Sequence, residues 1–185
     1  MLPSEQAIHF ISPLLSREEQ LLWSAQPRQG LILRSNDVAL IPFSLLWGGF
    51  AFFWEYNVFH SNAPIFFRLW GIPFVLAGLY LIVGRFFVDA RLRSKTYYGL
   101  TTERIIIVSG LFSRTTKSLQ LRTLSDVSLS ETGSDIGTIS FGPQGPWWAA
   151  GGSWPGTQRQ ASPAFEAIAD ARGVYERIRL AQKRD

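Results

Sequence analysis

The sequence predicts a membrane-embedded α-helical hairpin joined to one small β-rich domain, a sandwich or partly open barrel closed by a C-terminal helix. Three observations carry that expectation. Two long apolar blocks, residues 38–54 and 65–88, lie close together in the first half of the chain. Beyond Lys95 the pattern changes to short strand-type runs separated by turn residues. Charged residues make up only 17% of the 185, against roughly 25% in soluble domains, while hydrophobic ones reach 46%.

The first block, VALIPFSLLWGGFAFFW, carries no formal charge, and the second, IFFRLWGIPFVLAGLYLIVGRFFV, is uncharged from Leu69 to Gly84. Each reaches about 20 helical residues, enough for a hydrocarbon core of roughly 30 Å. Arg68 and Arg85 stand near the ends of the second block, roughly 25 Å apart along a helix axis, so both snorkel to opposite interfaces. Trp47, Trp54, Tyr56, Trp70 and Tyr80 supply aromatic anchors. Pro42 and Pro73 follow the starts of their blocks, where a missing N–H does least harm. The competing reading, two buried helices of a soluble protein, requires a polar stripe that neither block has. Transmembrane helices are therefore expected at 38–59 and 65–90, with a connector at 60–64 and an N-terminal cytosolic segment at 1–37.

Seven charged residues before Val38 and the lack of an earlier apolar core argue against a cleavable signal peptide. Arg28 and Arg34 precede the first block; Arg91, Arg93, Lys95 and Arg104 follow the second; the connector has no Lys or Arg. The excess of positive charge predicts both termini in the cytosol and the connector outside. Topology alone explains the cluster Arg91, Arg93 and Lys95, although an anionic headgroup site is the functional alternative.

In the cytosolic part, 96–100 (TYYGL) and 104–108 (RIIIV) read as strands around the turn 101–103. Further strands are expected at 115–121, 124–131 and 136–141, and 20–24 (QLLWS) is a possible extra strand before the hairpin. Ser162 as N-cap and Pro163 at the first helical position predict a last helix over 163–182, with Phe165, Ile168, Tyr175 and Ile178 on its buried face. Between strand and helix lies a Gly- and Trp-rich flap, 142–162, carrying Trp147, Trp148 and Trp154. Two readings of it stand: a loop that enters the membrane interface or docks a partner, and an irregular flap packed on the domain.

At these residues a resemblance emerges. TTERIIIVSG (101–110), LQLRTLSDV (119–127) and GTISFG (137–142), after a two-helix hairpin, resemble the bacterial pleckstrin-homology-like membrane proteins. The N-terminal LSREEQLLWSAQP fits the same family. The resemblance implies a pleckstrin-homology-like (PH-like) split barrel or sandwich of about six to seven strands, capped by a C-terminal α-helix, over 96–182. Such a fold is a generic binding platform and does not by itself specify a ligand.

Chemistry is sparse. The absence of cysteine excludes disulfides, thiol nucleophiles and thiolate metal sites. His9 and His60 fall in different segments, so neither forms a metal site or dyad. Glu18-Glu19 reads as a solvated turn, and Asp126 lacks a second carboxylate for acid–base work. Gly151-Gly152 lacks the residues of a phosphate loop. Arg104 is expected to make a structural ion pair or to cap carbonyls. Arg114, Lys117 and Arg122 flank two strands, either as a solvated face or as a basic face for anionic lipid or an acidic partner.

The expected function is a non-enzymatic, membrane-anchored binding or scaffold protein in a bacterial inner membrane. A lipid-sensing role through the basic face and the flap is the alternative. The partners expected are the bilayer and a protein partner or second copy, with no nucleic acid, no metal and no cofactor. An enzyme or transporter comes last, because the two spans show no ionisable residue at mid-depth.

Overall fold

The computed structural model describes residues 5–33, 37–111, 113–131, 136–142 and 162–184. In chain order the elements are α1 (Glu5–Ile11), β1 (Leu21–Ala25), α2 (Asp37–His60), α3 (Ile65–Leu79), α4 (Arg85–Ser94), β2 (Tyr97–Thr101), β3 (Arg104–Ser109), β4 (Thr115–Gln120), β5 (Val127–Glu131), β6 (Ile136–Phe141), β7 (Ala164–Ala169) and α5 (Ala171–Arg184). They form two units: a helical one from Leu31 to Ala90, and a β-rich one assembled from the chain on either side of it.

The β-rich unit consists of two antiparallel sheets, β1-β2-β3-β4 and β5-β6-β7. Ile105 and Ile107 of β3 face the main core, while Ile106 and Val108 pack on the other face with Ala7 and Ile11 of α1. The unbroken apolar run of β3 thus has a cause: both faces of the strand are covered. The main core joins Trp23, Tyr98, Leu100, Ile139, Phe141, Phe165 and Ile168 from both sheets to Val174 and Ile178 of α5. Phe165 is its hub, with ring centroids 5.4, 4.8 and 5.0 Å from Trp23, Tyr98 and Phe141. Each large side chain buried there contributes roughly 1.5–3 kcal/mol.

The C-terminal helix differs from its sequence expectation. Residues 164–169 form β7, and the helix begins only at Ala171, so neither Ser162 nor Pro163 starts it. The misleading signal was the i, i+3 spacing of Phe165 and Ile168. Ala167 adopts φ 48°, and the register shifts so that Gly137 and Ile139 oppose Ile168 and Phe165. This bulge inserts one residue and turns both side chains to the same face, which imitates a helical period. The actual cap is Asp170, whose Oδ1 accepts the Gly173 N–H at 3.2 Å. Further corrections are smaller. The strand expected at 124–131 begins at Val127, after a 3₁₀ turn at Leu121–Thr123.

In the helical unit, α2 and α3 run side by side as an antiparallel pair joined through 61–64. Their crossing is set by two glycines, since a Cβ on Gly78 would stand 2.9 Å from the Gly48 Cα. Small residues at such a crossing let two backbones approach. A π-helical turn, Tyr80–Gly84, links α3 to α4. Pro73 lies nine residues into α3, deeper than the first turn where it was expected to be harmless. The helix α2 also runs six residues past the uncharged block and takes Glu55 into its buried face.

Candidate functional site

The described ionic side chains of the β-rich unit lie on its sheets, its loops and its helices. Among the described residues no group of three His, Asp or Glu side chains is placed to hold a metal ion. Its polar centre is a lock around Glu19, which the structure buries instead of leaving in a solvated turn; Glu18 beside it is exposed. Arg104 donates to both carboxylate oxygens, Nε to Oε1 and Nη2 to Oε2, each at 2.8 Å. The Thr101 hydroxyl donates to Oε1 at 2.6 Å and the Ser16 N–H to Oε2 at 3.0 Å. These hydrogen bonds, that of Arg104 foremost, outweigh the opposing burial and hold the Glu19 carboxyl down at about 2 from an ordinary 4.5. The same pair raises the affinity of the Arg104 guanidinium for its proton. Arg104 also donates to the Leu14 carbonyl at 2.9 Å. It is therefore a structural clamp on the N-terminal arm, in the role its sequence position suggested.

The basic residues after the hairpin are held in different ways. Arg91 is exposed near the end of α4. Arg93 is buried, and its Nη2 donates to the Gly30 carbonyl at 2.6 Å. Lys95 donates from Nζ to the Leu111 carbonyl at 2.9 Å. Two of the three side chains thus fasten backbone within the β-rich unit.

Arg114, Lys117 and Arg122 do not share one face. The Arg114 guanidinium lies 4.5 Å from the Phe10 ring of α1, on the outer side of the first sheet. Lys117 pairs with Ile107, two residues from the Ile105–Leu119 pair, and so stands on the core side of β4. Arg122 is exposed in the 3₁₀ turn. Trp147, Trp148 and Trp154 lie outside the described residues, as does nearly all of the flap.

Three features escaped the sequence reading. One is a basic exposed face on α5, where Arg172, Arg177, Arg179 and Lys183 surround Glu176. Its only hint was the charge density of the last fifteen residues. The second is an ion pair at one end of the hairpin, with Arg85 Nη1 at 2.5 Å from Asp37 Oδ1, both side chains buried. The third is Glu55, buried at the other end with neither oxygen hydrogen-bonded. Neither placement can be read from sequence alone, since both depend on the crossing geometry of α2 with the second helix.

Known proteins resemble the chain as follows. A pleckstrin homology domain from Shewanella amazonensis SB2B, known from its crystal structure, is 8% identical over 97% of each chain. Its TM-score is 0.38. No curated protein matches. A family described as Bacterial PH domain matches residues 38–182, a span running from α2 to α5 and covering most of the chain. Among the described residues, seven strands in two antiparallel sheets with a C-terminal helix fit a PH-like fold, with β1 lying ahead of the matched span. The chain belongs to the bacterial PH domain family.

Proposed function

We propose that this protein is a non-enzymatic, membrane-anchored binding or scaffold protein, with its PH-like unit at the cytosolic face of a bacterial inner membrane. The observation that supports anchoring most is the placement of charge along the helical unit. The ionic residues of α2 are Asp37 and Glu55, and those of α3 and the start of α4 are Arg68 and Arg85. An acid and a base therefore mark each end, about 25–27 Å apart along the axes, close to the thickness of a hydrocarbon core. Between them large apolar side chains face outward, among them Leu46 at 76%, Phe50 at 66% and Leu76 at 58% exposure. Helices that formed the core of a soluble protein would be mostly buried, but only 22% and 17% of the two apolar windows are.

Carbonate extraction of membranes from cells making the full chain tests this reading. The protein should remain in the pellet and require detergent for release. Recovery of the wild-type chain in the soluble fraction would remove the anchoring claim.

A lipid-sensing role is the second reading, supported by the basic face of α5. Full-length protein in nanodiscs should then show slower amide exchange in α5 when phosphatidylglycerol replaces phosphatidylcholine. Identical exchange in both lipids would leave the scaffold reading alone.

A further inference from the structure

At the connector end of the hairpin a carboxylate and a guanidinium stand on facing helix surfaces without pairing. Glu55 of α2 is 8% exposed, and both of its carboxylate oxygens lack a hydrogen-bond partner. The carboxylate rests against Gly71 of α3, where an added Cβ would stand 1.6 Å from Oε2. One turn nearer the connector, the Nε of Arg68 is likewise buried and without a partner. Its Nη2 donates to the Ser61 carbonyl at 3.2 Å, and its guanidinium lies 5.9 Å from the Phe59 ring of α2. Phe59 is one turn from Glu55, so the two ionic groups lie within about a helical turn of each other.

The other end of the hairpin closes its charges on each other, Asp37 on Arg85. Here the chain supplies no such closure, and a buried ion without a partner is costly. The two groups ask for complementary chemistry. Glu55 requires a cation that donates hydrogen bonds, and Arg68 an oxyanion for its planar fork. A single small zwitterion with a primary ammonium and a phosphate ester meets both needs. We infer that this end of the hairpin binds a phosphoethanolamine headgroup, with the ammonium on Glu55 and the phosphate on Arg68. The inference rests on the membrane reading, which puts this end at the bilayer surface among lipid headgroups. Gly71 provides the notch in which the carboxylate lies, and binding requires Glu55 to rotate out of it towards Arg68. A choline headgroup offers no N–H donor, and a glycerol headgroup carries no cation, so neither satisfies both residues.

The test is native mass spectrometry of the full chain in detergent with phosphatidylethanolamine, phosphatidylcholine and phosphatidylglycerol of identical acyl chains. Phosphatidylethanolamine should be retained at least fivefold over the other two. Glu55→Gln and Arg68→Gln should each reduce that preference below twofold, with helix content by circular dichroism unchanged. Soluble glycerophosphoethanolamine added in excess separates the sources of the ligand. Competition shows that the headgroup alone is recognised, and retention despite it shows that the membrane lipid is the ligand; either result supports the site. Equal retention of all three lipids by the wild-type chain overturns the inference whatever the variants do, and so does a preference that survives both substitutions. A chain that is soluble without detergent overturns the membrane reading instead, which keeps the two failures distinct.

Discussion

Glu19 and Arg104, 85 positions apart in the sequence, form a two-bond ion pair that fastens the N-terminal arm to the start of β3. The arm carries α1 and β1, so this contact fixes the cover of one sheet face and the first strand of that sheet together. The carboxylate is fully shielded on the inner side, while Arg104 retains 27% side-chain exposure. Partial exposure of one member and hydrogen bonds to both oxygens of the other limit the desolvation cost that burdens fully buried pairs.

A pH dependence follows with a definite sign. The Glu19 carboxyl titrates near 2 when folded and at about 4.5 when free. A depressed carboxylate contributes stability that is complete above the free value and lost as pH falls towards the folded one. The contribution is on the order of 3 kcal/mol. Thermal unfolding of the purified chain, followed by tryptophan fluorescence, should show stability falling between pH 4.5 and 2. Glu19→Gln should be less stable at pH 7 and show a shallower decline over that window.

The Asp37–Arg85 pair behaves differently because both side chains are buried. Asp37→Leu alone leaves a guanidinium without its partner and should destabilise the helical unit by roughly 3 kcal/mol. Adding Arg85→Leu should recover more than half of that loss, since no uncompensated ion remains. Denaturant titration of the four proteins in detergent closes the double-mutant cycle. A double variant no better than Asp37→Leu would show that the pair matters for something other than charge balance.

Gly137 on β6 permits the first turn of α5 to rest on the sheet. A Cβ there would meet the Ala171 Cβ at 2.6 Å and the Ser130 carbonyl oxygen at 3.0 Å, neither of which can yield by rotating a side chain. Gly137→Val should cost about 1–3 kcal/mol through overpacking. Ala171→Gly in the same chain should restore part of it, because only the first clash is relieved. The midpoint of chemical unfolding is the measurement.

The orientation proposed for the hairpin rests on the distribution of Lys and Arg around it. A reporter active only in the cytosol should be active when fused after Asp185 and silent when inserted at Ser61. Leu76→Arg, a charge near the middle of the expected span, should reduce resistance to carbonate extraction at a cost of about 3 kcal/mol on insertion scales. The reverse reporter pattern would invert the topology.

Elements with a strong local pattern were legible in advance. The strands at 104–109 and 136–141 and the long apolar blocks announced themselves through local pattern, which depends on few residues. Legibility failed where a tertiary contact reassigned a residue. Phe165 and Ile168 look helical because one left-handed residue, Ala167, resets the strand alternation between them. Glu19 looks solvated because its partners, Thr101 and Arg104, arrive more than 80 residues later. Glu55 falls inside the helix expected over 38–59, but its burial against Gly71 depends on how α2 meets α3 and leaves no local sign. Of the expected contact residues, Arg93 and Lys95 give no local sign that they fasten Gly30 and Leu111, since hydrogen bonds to backbone carbonyls leave no signature in residue type.

The pairing of β1 with β2 sets Trp23 opposite Leu100 and Ser24 opposite Gly99, with α2 and α3 wholly between them in the chain. The helical unit is thus an excursion out of a sheet that must close behind it. A bilayer crossed on that excursion has to be crossed an even number of times, because the two strands can hydrogen-bond only from the same side. The constraint is one of parity and holds whatever the hairpin's tilt. It also orders events during synthesis: β1 leaves the ribosome early and stays without its neighbour until the chain has gone out and returned. Deletion of one helix would therefore do more than shorten the anchor. If the hairpin spans a bilayer as proposed, the deletion would strand the first β-strand and the rest of its sheet on opposite sides of the membrane.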